Sequence, residues 1–156
     1  MTTLDLDLHR TNYLSLRTFR SDGSAVDVPI WFVADGDRVW FRTKSSTAKV
    51  RRISRNPTVE VRPCDWKGRP LGTTVVRATA HRLEGEPAEQ ANQRLHRRYG
   101  WKWNSVPLVR LPGTNTVKMT LTRRQWWQHL RATSLWPESC IIELTLVGAA
   151  RSPHDD

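Results

Sequence analysis

Residues 12–43 run NYLSLRTFRSDGSAVDVPIWFVADGDRVWFRT. Over residues 12–20, Leu14, Leu16 and Thr18 alternate with Tyr13, Ser15, Arg17 and Phe19, the two-residue period of a strand with one face buried. Ser21-Asp22-Gly23-Ser24 carries turn chemistry, with glycine free to take positive φ. Residues 25–33 are almost continuously apolar (Val26, Val28, Ile30, Trp31, Phe32, Val33) and predict a second strand. Asp35-Gly36 turns the chain again, and residues 38–43, with Val39, Trp40 and Phe41, predict a third. Three strands joined by two tight turns make an antiparallel meander.

Outward from this meander the period changes. Over residues 45–56, Ser45, Ser46 or Thr47 can cap a helix, Ala48, Val50 and Ile53 fall near helical spacing, and Pro57 ends it. Residues 58–63, with Val59 and Val61, predict a fourth strand, residues 65–70 a loop and residues 72–83 a long fifth strand. Residues 86–99 predict a helix, with Pro87 in its first turn and Gly100 at its end. A proline-bearing loop leads to residues 117–131, helical over their second half, with 116–122 open to a strand. Residues 138–147 predict the last strand, Cys140, Ile142 and Leu144 alternating with Ile141, Glu143 and Thr145. The expectation is a mainly β fold with appended helices, a six-stranded antiparallel barrel, because a small barrel closes its own edges. It is a single domain over 1–156: an arm (1–11), barrel strands with one short helix (12–83), a helical and loop region (84–137), a closing strand (138–147) and a tail (148–156).

Composition narrows the function classes. The 156 residues suit one domain. With 38% hydrophobic and 26% charged residues there is material for one core, which argues against a wholly disordered chain. No apolar run approaches the roughly 18 residues of a membrane-spanning helix. The opening MTTLDLDLHR lacks the basic and apolar regions of a secretory signal, so a cytoplasmic location is expected. Cys64 and Cys140 lie far apart with no metal-spaced partner, which speaks against a disulfide framework and a zinc site. Lys plus Arg is 25 against 15 acids, a net charge of +10, and such a chain tends to meet polyanions. Codon bias in a GC-rich genome is one reading of arginine over lysine, but it does not explain the net excess, because acids are not enriched to match.

Four constellations carry candidate chemistry. Thr43 to Arg52 (TKSSTAKVRR) joins a strand end to a helix start. Unpaired N–H groups, the positive dipole end, the hydroxyls of Ser45, Ser46 and Thr47, and Lys49 together suit a phosphate. There is no glycine-rich loop, so this is not a P-loop, and the same residues also fit a capped, solvated basic helix. Pro29-Ile30-Trp31 marks an edge or bulge, fit to present backbone groups to a flat heterocycle or simply to place an aromatic in the core. Asp65-Trp66-Lys67-Gly68-Arg69 suits a second anionic group or an ordinary hairpin. Trp101, Trp103, Trp126, Trp127 and Trp136, near Lys102, Arg123 and Arg124, suit base stacking or the filling of a core or subunit interface. The five histidines (His9, His81, His96, His129, His154) show no metal or triad spacing, and no G-x-S-x-G elbow occurs.

The order and spacing of several segments resemble the pyridoxamine-phosphate-oxidase-like flavin and deazaflavin oxidoreductases, most closely the branch using coenzyme F420. The segments are Tyr13-Leu14-Ser15-Leu16-Arg17-Thr18-Phe19 with Asp22-Gly23-Ser24, Val28-Pro29-Ile30-Trp31-Phe32, Asp35-Gly36-Asp37-Arg38, Ala48-Lys49-Val50-Arg51-Arg52, Arg55-Asn56-Pro57-Thr58-Val59, and Pro63-Cys64-Asp65 with Lys67-Gly68-Arg69. The resemblance covers about residues 12–100, and 141–146 is similar to the family's closing strand. It implies a split β-barrel homodimer of the FMN-binding type, with the cofactor in a groove between subunits. Ser46, Thr47 and Lys49, with Arg52, match the cofactor-phosphate segment. Val28, Pro29, Ile30 and Trp31 match the strand along the isoalloxazine-type ring, and Arg69 matches a loop position. The implied activity is hydride transfer between reduced F420 and a small electron-poor organic substrate. FMN chemistry on the same fold is the alternative, as is a non-enzymatic module for a cofactor, haem or nucleic acid, although no nucleic-acid recognition signature is present. The cofactor supplies the hydride, so no indispensable acid–base side chain is expected; Tyr13, Tyr99 and bulk water are the candidate proton sources. The stretch from Trp101 to Trp136 departs from the family pattern and suits a substrate lid or dimer packing.

Overall fold

The computed structural model describes residues 11–100 and 138–149. The predicted helix within 117–131 and the tryptophan-rich stretch lie outside them. Seven strands and two helices follow one another: β1 (Tyr13–Phe19), β2 (Ala25–Trp31), β3 (Val33–Asp35), β4 (Arg38–Lys44), α1 (Ala48–Arg55), β5 (Thr58–Cys64), β6 (Val76–Leu83), α2 (Gly85–Tyr99) and β7 (Ser139–Ala149). The strands form one sheet in the order β2-β1-β5-β6-β7-β4-β3, every pairing antiparallel.

The two ends of that order are consecutive in the chain. β2 stops at Trp31 and β3 starts at Val33, so only Phe32 separates one sheet edge from the other. The sheet therefore rolls up, and its edges are joined by the chain itself; no ladder among the described residues closes the ring. This corrects the expectation of six strands with an unbroken second strand over 25–33. The chain leaves β1 and takes up β4 as its partner, and Phe32 is where it changes over. β6 also starts later than expected, because the chain after the loop makes only a single bridge, Cys64 to Pro70, before Val76.

Strand alternation sorts side chains into two cores. Leu14, Leu16, Val39, Phe41, Val59, Val61, Ala78, Ala80, Cys140, Ile142 and Leu144 face inward with Phe32. Helix α1 is eight residues long, too short to persist alone in water. It drops Val50 and Ile53 into this inner core, which contributes at most about 3–6 kcal/mol and anchors it across the barrel end. On the outer face, Trp40 and Ile141 meet Ala88, Ala91 and Leu95 of α2. Among the described residues no helix is long and apolar enough to cross a membrane.

Candidate functional site

Register locates the split. The β3–β4 ladder runs from Asp35↔Arg38 to Val33↔Trp40 and stops. From Trp31 back to Ala25 the chain pairs with β1 instead, while β4 runs on to Lys44 with β7 on its other side. Between β2 and the second half of β4 there is thus a wedge. Phe32 is its apex, β2 is one wall, and the other wall leads through Lys44 into the start of α1.

The expected site residues fall into three groups around this wedge. Ser46, Thr47, Lys49 and Arg52 come together at α1. Thr47 is the N-cap residue, but its Oγ1 donates to the Lys44 carbonyl at 2.9 Å and does not cap the helix. The first-turn N–H groups are thereby left to water or an anion. Ser46 is exposed. Ser45, beside it, has a buried Oγ with no hydrogen-bond partner. Lys49 is half-buried and meets no carboxylate among the described residues; burial, and then the Arg52 charge, hold its ammonium below the ordinary lysine value. Arg52 donates through Nε to Thr18 Oγ1 at 2.7 Å. Its guanidinium is lowered by burial and by Arg20, Arg51 and Arg55.

Val28, Pro29, Ile30 and Trp31 divide by alternation. Val28 and Ile30 pack on the inner core, so only their backbone is available to a ligand outside it. Pro29 is exposed on an edge strand, as its missing donor predicts. Trp31 turns outward and stacks on Tyr99, with centroids 4.8 Å apart at 15°.

Arg69 belongs to a loop that rests on β2 rather than on α1. Asp65 organises this loop: Oδ1 accepts the N–H groups of Lys67 and Arg69, both at 2.9 Å, and Oδ2 accepts Arg69 Nε at 2.7 Å. Gly68 lies against Pro29 with φ +81°, and a Cβ placed there would meet Pro29 Cδ at 3.7 Å, an ordinary contact. Backbone strain alone then sets the effect of Gly68→Ala, an expected loss of about 1–2 kcal/mol in urea denaturation.

Sequence reasoning missed Ser45 as an orphaned hydroxyl, and Arg42. Arg42 lies in the second half of β4, opposite Ile141 of β7 and on the parity of Trp40, where burial pulls its guanidinium down to about 10. Neither signal exists before the packing is known. Tyr99, a candidate proton source, is committed elsewhere: its hydroxyl donates to the Phe32 carbonyl at 2.6 Å and accepts the Phe32 N–H at 3.1 Å. Burial pushes this phenol above its usual value, so it stays protonated. Cys64 is buried, and its thiol is pushed up to about 11, which leaves it a poor nucleophile.

This arrangement can hold an anionic group at the uncapped helix and lay a flat group along β2, and no strong acid or base stands ready at it. Similar solved structures include the haem storage protein HutZ from Vibrio cholerae, 12% identical over 93% of this chain and 88% of that one with a TM-score of 0.62. An F420 reductase is 21% identical over 95% and 96% with a TM-score of 0.58. A conserved hypothetical protein from Mycobacterium tuberculosis is 18% identical over 97% and 82% with a TM-score of 0.56. At these identities the likeness is one of fold. No curated protein matches the sequence. The family model for pyridoxamine 5'-phosphate oxidase matches residues 4–128; with the split barrel that it accompanies, this places the chain in the pyridoxamine 5'-phosphate oxidase family.

Proposed function

We propose that the chain is a cytoplasmic, homodimeric oxidoreductase that binds F420 in its wedge and transfers a hydride between the reduced deazaflavin and a small electron-poor organic substrate. One observation carries this: a single helix start brings a half-buried Lys49 with no carboxylate partner among the described residues, a buried Ser45 Oγ with no hydrogen-bond partner among them, and an N-cap residue whose side chain does not cap it. Charge and donors left unmatched in this way fit an anionic group. Ser46 and Lys49 would hold the cofactor's phosphate, with Arg52 behind them; Thr47, whose N–H and Oγ1 both donate to the Lys44 carbonyl, would join them only by giving up that carbonyl. The backbone of Val28 to Trp31, with the Pro29 and Trp31 side chains, would lie along the ring, and the Arg69 loop would flank it. F420 supplies hydride chemistry when bound. The protein's part is to orient the ring and exclude water.

FMN offers the same phosphate to the same cradle. The longer polyanion is favoured by Arg20, Arg51 and Arg55, each close enough to act on the Arg52 charge; none of the four forms an ion pair among the described residues. The phosphodiester and polyglutamate tail of F420 would use them, whereas FMN ends at one phosphate. Titrating the purified protein with F420 and FMN side by side tests this. The expected result is tighter F420 binding that weakens with salt. Tighter FMN binding would move the assignment to a flavin enzyme. Binding of haem alone, as the likeness to a haem storage protein suggests, would end the oxidoreductase reading.

A further inference from the structure

We propose that Tyr99 is a positioning residue that sets the wedge wall for the cofactor ring; this rests on the cofactor reading given above. Phe32 is the one residue between two sheet edges, where neither β1 nor β4 takes its backbone groups. Buried N–H and C=O groups must nevertheless be paired. A single side chain does so from across the fold: Tyr99 Oη accepts the Phe32 N–H at 3.1 Å and donates to the Phe32 carbonyl at 2.6 Å, with the Asn12 carbonyl at 3.2 Å.

The same residue fixes the wall itself. Its ring stacks on Trp31, and Trp31 meets Tyr13 edge-on, centroids 6.2 Å apart. The neighbouring Arg98 ties the α2 end to the start of β1 through the Thr11 carbonyl at 2.9 Å, with its guanidinium 4.8 Å over the Phe32 ring. The last turn of α2 thus holds both sides of the changeover point. Without the hydroxyl, Phe32 has to find strand partners or water, and either outcome moves Trp31 and Pro29 relative to the α1 cradle. The hydroxyl therefore acts on ring binding through β2, not on the phosphate cradle.

Tyr99→Phe separates these effects, because it keeps the stacked ring and removes only the hydroxyl. Three readouts are needed: amide hydrogen exchange at Phe32, affinity for F420, and affinity for inorganic pyrophosphate as a probe of the α1 cradle alone. The expected result is a folded variant in which Phe32 exchanges faster, F420 binds about tenfold more weakly, the worth of one ordinary hydrogen bond, and pyrophosphate affinity is unchanged. Unchanged F420 affinity overturns the proposal. So does parallel weakening of F420 and pyrophosphate, which would mark a merely structural role. Should the variant not fold, wild-type exchange decides: a Phe32 amide as unprotected as an open loop overturns the grip, and a protected one supports it. A wild type that takes up pyrophosphate but neither F420 nor FMN fails the cofactor reading itself, and the positioning role with it.

Discussion

Lys49→Met is expected to weaken F420 or FMN binding about 10–100-fold, the worth of a charge-assisted hydrogen bond of roughly 1.5–3 kcal/mol, while raising the melting temperature of the ligand-free protein. The two effects have one cause. The ammonium is half-buried beside a like charge, Arg52, with no carboxylate among the described residues to offset it. Its pKa is therefore lower in the folded chain than in the unfolded one, so across the interval between the two values the unfolded chain binds more protons. Stability rises with pH through that interval. Below that interval the charge is present in both states, and its burial costs the folded one. Methionine removes that cost and fills similar space. Differential scanning fluorimetry with and without cofactor reads both: the ligand-free melt should move up and the cofactor-induced increment should collapse. A variant that keeps the increment would remove Lys49 from the site.

Much of this was legible in the sequence because it is local. The alternation of Leu14, Leu16 and Thr18, the glycine-bearing turns, the helix start after Thr43 and the edge position of Pro29 are properties of short windows, and the structure keeps each. What was not legible depends on register between distant segments. An unbroken strand over 25–33 is what the apolar pattern asks for. It breaks at Phe32, where the chain changes partner from β1 to β4 and where Tyr99, 67 residues away, supplies the hydrogen bonds that a ladder otherwise would. Val28 and Ile30 matched the ring strand by position, yet alternation turns their side chains inward, and only the strand's pairing shows which parity faces the core. Lys49 was legible as a cation at a helix start. That no carboxylate among the described residues pairs with it, the fact that makes it informative, required knowing its neighbours.

Glu143→Ala is expected to destabilise the protein by about 3 kcal/mol, well beyond a surface substitution. In the sequence Glu143 falls on the outward parity of the last strand, where a carboxylate is ordinarily solvated. The structure buries it, with the side chain only 7% exposed, because register sets it between Trp40 of β4 and His81 of β6. Its carboxylate accepts Arg38 Nη1 at 2.7 Å and Trp40 Nε1 at 2.8 Å, and His81 Nε2 lies 2.9 Å from it. Arg38 and His81 are each about half exposed, so on truncation they recover water and lose little. The indole N–H of Trp40 is buried and cannot, and an unsatisfied buried donor costs about 1–3 kcal/mol by itself. Trp40 is also the floor on which Ala88, Ala91 and Leu95 of α2 pack, with Arg94 over its ring at 4.9 Å. Loosening it reaches α2, and through Tyr99 the wedge. Glu143→Gln keeps the shape and one acceptor, so its loss should be about half as large. Urea denaturation followed by tryptophan fluorescence separates the two variants. A Glu143→Ala protein as stable as wild type would show that Arg38 and Trp40 find other partners without cost, and that the outer core does not depend on this carboxylate.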